Sequence, residues 1–163
     1  MGSAGQSVRK QWVGMLFLPE VDDEVVLQFI NEDPCHPVII GSLYSRKRKT
    51  PVSLDPKNNL KTIVTKNQLK ITLDDDKKII TIGTPGENTL ILDDDKKQIL
   101  LSDANKNKVC MDKNGIMVES GKDLIFKARG NVKTEGMGIE SKSKQDTKIN
   151  GLNIEVSAQW ELK

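Results

Sequence analysis

The chain has 163 residues, a net charge of +2, 36% hydrophobic and 29% charged residues, and only 4% aromatics. That is a thin supply of large side chains for one compact core, and no apolar run approaches the roughly 18 residues of a membrane span. Two cysteines (Cys35, Cys110) and one histidine (His36) exclude a disulfide-dense fold, a multi-Cys/His zinc site and any two-histidine metal site.

Met1-Gly2-Ser3 reads as an expression scar, so the natural chain is expected to begin upstream. Val8–Tyr44 is the zone with mixed large side chains: Trp12, Phe17, Phe29 and Tyr44. Val13–Phe17, Glu24–Phe29 and Val38–Leu43 are expected as strands, separated by Pro19 with Asp22-Asp23 and by Asn31-Glu32-Asp33-Pro34. Gly41 inside the third strand marks a bulge or a close backbone approach. A polar, basic connector follows, Arg46-Lys47-Arg48-Lys49 with Pro51 and Pro56.

From Leu60 onward short apolar stretches alternate with charged turns, and they repeat. Ile71, Leu90 and Val109 are 19 residues apart, as are Leu73, Leu92 and Met111, and Asp74, Asp93 and Asp112. Ile80, Ile99 and Val118 keep the period, and Asp74–Lys78 matches Asp93–Lys97 residue for residue. Each unit therefore carries two short strands. After Asn114-Gly115 the spacing tightens to eight: Ile116, Leu124 and Val132 in one set, Val118, Phe126 and Thr134 in the other. The octad slips near Gly136-Met137-Gly138 and continues loosely through Ile139, Ile149, Leu152, Ile154 and Val156.

Strands this short bury two or three side chains each. At roughly 1.5–3 kcal/mol per aliphatic side chain, that gain hardly exceeds an ordering cost of about 1–2 kcal/mol per residue. One copy cannot close a core from its own octads, and no helix is expected to cover a sheet. The expected fold is all-β, with three chains winding about one axis into a triangular prism and each giving one strand per layer. Charged turns would form its corners. A single-chain solenoid is the rival, but no hexapeptide register is present and the octad favours the trimer.

Other residue patterns carry little chemistry. Cys35 and His36 lie in a turn between Pro34 and Pro37, where neighbours diverge and no third group orients them, so nucleophilic catalysis is not expected. Asp74–Asp76 and Asp93–Asp95 resemble calcium ligands only in charge. Each tract is followed by two lysines, and a solvated, internally balanced turn fits better. Arg46–Lys49 lacks interleaved aromatics and reads as an exposed linker, not a nucleic-acid site. Gly83-Thr84-Pro85-Gly86 is a turn, not a phosphate loop. Cys110 is expected as a small apolar strand residue; three copies would meet only if it faced the axis. No catalytic, cofactor-binding or metal-ligating residue is assigned.

Gly14-Met15-Leu16-Phe17-Leu18-Pro19-Glu20-Val21-Asp22-Asp23-Glu24-Val25-Val26 resembles the "G-x-F-x-L-P-E-V-G-D-E-V" segment of VgrG-type spike proteins. Asn31–Tyr44, with its Asp33-Pro34 and Pro37-Val38-Ile39-Ile40-Gly41-Ser42-Leu43-Tyr44, is similar to the continuation of that segment. The family includes phage baseplate spikes and the spikes of related contractile injection particles. The resemblance implies a homotrimer: residues 1–44 as the C-terminal part of an OB-like β-barrel, 45–59 as a basic linker, and 60–163 as the β-prism or β-helix shaft. Asp22 stands where the family usually has glycine. The earlier OB strands, the hub domains, a pointed tip motif and the His-x-His pair of iron-bearing tips are absent, so a trimmed fragment of a longer spike is expected.

The resemblance further implies a mechanical, non-enzymatic part that punctures a target envelope and carries effectors. Its partners would be tail-tube protein and baseplate at the blunt end, and a tip protein or effectors at the other, with no nucleic acid. It would assemble in the bacterial cytoplasm and then be secreted or delivered, or form part of a virion or phage-tail-like particle. A β-helical carbohydrate-active enzyme and an adhesive fibre segment are the alternatives. The first is disfavoured by a shaft whose only aromatics are Phe126 and Trp160.

Overall fold

A computed structural model describes Ser3–Ala4 and residues 15–157. The chain divides into two units, Met1–Leu124 and Ile125–Lys163. Among the described residues the regular structure is all β, apart from one 3-10 turn at Ile30–Glu32.

The first unit holds two sheets. In the smaller, β1 (Ser3–Ala4) runs parallel to β3 (Pro37–Ser42), and β2 (Val25–Phe29) runs antiparallel to β3. The β2–β3 register skips Ile40, with Val26 opposite Gly41 and Leu27 opposite Ile39. The glycine therefore marks a bulge. It is not a close approach, since a Cβ on Gly41 would meet nothing within 4 Å. The strands expected at Glu24–Phe29 and Val38–Leu43 are found within a residue of their ends. Val13–Phe17 is not found as a strand: residues 15–17 are irregular, and Val13 and Gly14 lie outside the described residues. Apolar alternation describes a side-chain fit, and a ladder needs a second backbone; none of the described residues offers one to this segment.

The larger sheet is an antiparallel meander of seven strands: β4 (Leu60–Val64), β5 (Lys70–Asp74), β6 (Ile79–Gly83), β7 (Thr89–Asp93), β8 (Gln98–Ser102), β9 (Lys108–Asp112) and β10 (Gly115–Glu119). The 19-residue period is two strands and two loops. One loop family spans 65–69, 84–88 and 103–107, where Thr65, Thr84 and Asp103 donate their N–H to the carbonyls of Leu69, Asn88 and Asn107. Each of these loops needs one left-handed residue to reverse the chain, and these are Gln68, Glu87 and Lys106, at φ of 63°, 62° and 66° and again 19 apart. In the acidic tracts Lys78 and Lys97 take that role at φ of 52° and 51°. There Asp74 Oδ1 accepts the Lys77 N–H at 3.0 Å, and Asp93 Oδ1 accepts the Lys96 N–H at 2.9 Å. Asp112 does the same for Asn114 at 2.7 Å before the tight turn into β10.

This pairing revises the layer expected between Leu60 and Glu119. The ladders there run between sequence neighbours of one chain, so each chain supplies a whole stretch of sheet instead of one strand per layer. Loops of four or five residues return the chain beside itself sooner than it could cross to another copy. The sheet nevertheless closes no core. Among the described residues Cys110 (7% exposed) is the one buried apolar residue and Asp93 (5%) the one buried polar residue.

The second unit contains no strand over its described residues, and every one of them is exposed. Backbone bends begin at 129, 136, 144 and 152, continuing from one at 121 that ends the first unit's meander. The steps are eight, seven, eight and eight. The single short step falls where the octad slips, at Gly136-Met137. Leu124-Ile125-Phe126 and Val132-Lys133-Thr134, expected as strands, form no ladder. Among the described residues no backbone pairs with this bending stretch.

Candidate assembly surface

Directly opposed residues of antiparallel strands share a face. Ile71 opposes both Ile63 and Ile82, and Leu73 opposes Ile80. Ile80 and Ile82 oppose Leu92 and Leu90, which in turn oppose Ile99 and Leu101. Ile99 and Leu101 oppose Met111 and Val109, and these oppose Ile116 and Val118. The result is a face two residues wide in which Lys61, opposite Leu73, is the only charged side chain. At about 4.8 Å per strand it runs roughly 29 Å across seven strands. Most of it, from Ile63 and Ile71 to Ile116 and Val118, stays exposed. A continuous apolar face of this length marks an interaction surface, because monomeric soluble proteins rarely leave one in water.

All the 19-residue apolar repeats, Ile71/Leu90/Val109, Leu73/Leu92/Met111 and Ile80/Ile99/Val118, lie on this face. At its β10 end it borders a groove of about 430 Å³ lined by Leu101, Val109, Val118 and Leu124, with Asn107 and Asp123 at the rim.

The opposite face is mixed. Its middle column is Thr62, Thr72, Thr81, Ile91, Leu100, Cys110 and Met117. It is flanked by Asp74, Lys70, Asp93, Gln98, Lys108 and Glu119, among others. Cys110 is on this mixed face, under the Gln98 amide that donates to its Sγ at 3.2 Å. It is a packing thiol away from the apolar face, so an apolar-inward trimer would not bring three copies together.

The loops are laced by charge. Lys77 and Lys96 reach back to Asp74 and Asp93 at 3.8 and 3.2 Å, Lys97 meets Asp94 at 2.8 Å, and Lys78 meets Asp95 in the next loop at 3.0 Å. Lys61 pairs with Asp75. Asp74, Asp75, Asp93, Asp94 and Asp95 of the two acidic tracts are thus engaged by lysines or by loop N–H groups. Among the described residues no cluster of three His, Cys, Asp or Glu side chains could hold a metal ion.

Several of these carboxylates titrate below their ordinary range. The Lys96 backbone N–H holds Asp93 down, the Lys97 ammonium does so for Asp94, and the Asn107 side chain and N–H do so for Asp103. The sign follows: depressed folded values favour the ionised form, so their stabilisation is complete above the unfolded value of about 3.9 and is lost as pH falls through the lower folded values. The melting temperature is expected to be level from pH 7 to 5 and to fall below about pH 4, with a shallower acid limb in Asp103→Asn. A melting temperature unchanged to pH 2 would show that these loop contacts contribute nothing.

The remaining candidates sit apart from the apolar face. Asp33 accepts the Cys35 N–H at 2.9 Å and contacts His36 Nδ1 at 2.8 Å, and these contacts hold its pKa low. The cluster is an exposed turn. Arg48 pairs with Asp23 at 2.8 Å and its carbonyl accepts the Ser45 N–H, so this part of the basic tract is a folded turn against the β2 approach. Tyr44 is exposed. Trp12 and Trp160 lie outside the described residues.

One structural site escaped sequence reasoning. Where the chain leaves β10, Asn107 Oδ1 accepts from Ser120 Oγ at 2.9 Å and from the Gly121 N–H at 3.0 Å. A Cβ on Gly121 would stand 2.5 Å from the Asn105 carbonyl oxygen, so only glycine fits. The sequence signal was weak: one more Asn in a polar loop and one more Gly in a turn.

Residues 8–44 match the family model described as the type VI secretion system/phage-baseplate injector OB domain. Residues 79–158 match the phage baseplate V C-terminal trimerisation domain. The second match begins at β6, in the middle of the apolar face, and runs through the bending segment. Among curated proteins none matches the chain.

Proposed function

From the baseplate spike-type protein that these two matches support, with its structural role in a phage or type VI secretion baseplate, we propose a homotrimeric spike of a contractile injection machine. The observation that carries this is the unbroken apolar face from Ile63 to Val118 on a chain whose described residues form almost no core. Three such faces turned toward one axis make a closed prism with a dry interior, and the mixed faces and Asp/Lys loops become its outer surface. The trimerisation match covers the part of this face from Ile80 to Val118. The matched families are structural, which favours a part that does no chemistry.

In this reading the shaft concentrates the force of a contracting sheath on a narrow section and drives it through a target envelope. The OB segment faces tail-tube protein and baseplate. The distal end receives a tip protein or effectors, as in a VgrG-type spike. Assembly takes place in the bacterial cytoplasm, followed by export or delivery, or by incorporation into a phage-tail-like particle.

Light scattering is expected to return three times the chain mass of 18.2 kDa. A monomeric mass with intact β-structure would overturn the proposal. Particles rebuilt with a trimer-breaking variant are expected to contract without delivering cargo; normal delivery would rule out the mechanical role.

A further inference from the structure

We propose that the Asn107–Gly121 junction sets the register in which three bending tails wind together, a role that rests on the trimeric reading above. The two halves of the shaft differ in how firmly their pairing is specified. The meander cannot slip, because loops of two to five residues fix each strand against the next within one chain. The octads can. Sliding one chain by eight residues sets Val132 where Leu124 was and leaves apolar against apolar, and register is weakly specified wherever a shift preserves the pattern.

The level at which each tail leaves the sheet must therefore come from the sheet, and the exit is held. Asp103 orients Asn107, accepting its N–H at Oδ1 and its side-chain amide at Oδ2, both at 2.9 Å. With the amide fixed, Asn107 Oδ1 takes Ser120 Oγ and the Gly121 N–H. Lys122 N–H turns back to Ser120 Oγ at 3.2 Å. Gly121 is pressed against the Asn105 carbonyl with no room for a methyl group. The chain thus leaves the sheet at one height, tied to the β8–β9 loop of a sheet that is itself in fixed register.

The test uses the full chain with Asn107→Ala, Gly121→Ala and the milder Ser120→Ala, read by solution mass and by amide hydrogen exchange. All three are expected to keep the parent's trimeric mass and its protection over Leu60–Glu119. Over residues 123–157, Asn107→Ala and Gly121→Ala are expected to exchange roughly tenfold faster or as two isotopic populations, with a smaller change in Ser120→Ala. Tail exchange identical to the parent in all three would overturn the proposal. So would loss of protection across the meander or a monomeric mass in the variants, since the junction would then serve folding or association instead of register. A monomeric parent would sink the trimeric reading itself, and this proposal with it.

Discussion

Leu92→Asp is expected to abolish the trimer at micromolar concentration. Leu92 lies on the central strand of the meander, between Ile80 and Ile99 on the apolar face. The substitution acts three times in one assembly. Each copy loses an aliphatic side chain worth about 1.5–3 kcal/mol of burial. Three carboxylates would then be desolvated beside one another, so some must protonate or the layer must open. Thr81→Asp is the control, one strand away on the mixed face between Thr72 and Ile91. Half-buried beside the neutral Thr72 and Ile91 but off the apolar face, it is expected to cost about 1 kcal/mol of stability and to leave the trimer associated. Sedimentation and thermal melting of the pair decide the matter. If Thr81→Asp dissociates the trimer and Leu92→Asp does not, the inward face has been chosen wrongly.

The second large effect belongs to the bending tail. Val132 lies one octad beyond Leu124, and Val132→Asp is expected to remove the tail's resistance to heat and detergent while the meander still holds three chains together. Wound chains unfold slowly because several layers must open at once, and a charged layer gives unfolding a place to start. Lys133→Asp changes the neighbouring, outward position and is expected to leave unfolding near the parent rate. The readout is trimer surviving in unheated and in warmed detergent, followed over time. Equal damage from both substitutions would refute the inside/outside assignment, because a one-residue slip exchanges the two faces. Tolerance of Val132→Asp alone would be equally damaging to it.

The apolar face and the charged loops are legible in the sequence because both are periodic. A step of 19 residues returns to the same place in a two-strand, two-loop unit, so Ile71, Leu90 and Val109 had to share a face whatever the loop details. Asp74, Asp93 and Asp112 had to end equivalent strands. The octads are legible for the same reason, and the bends at 129, 136, 144 and 152 follow them down to the short step at Gly136. The shortage of core is visible too, as strands too short to bury what they carry. Sequence alone thus determined an all-β chain that must be completed by other copies.

What it left open was which backbone pairs with which. A strand pattern states where side chains point, and hydrogen-bond partners depend on where the chain turns. Only the tertiary structure decided that β4–β10 pair within one chain while residues 123–157 find no strand partner among the described residues. The left-handed residues Gln68, Glu87 and Lys106 reverse the chain in the first stretch, and nothing reverses it in the second. Only the structure put Cys110 on the mixed face and left Met15–Leu18 without a ladder. The Asn107–Gly121 junction was beyond sequence for a plainer reason. It depends on a 2.5 Å approach and one shared amide oxygen, and neither leaves a period, a motif or a composition to read.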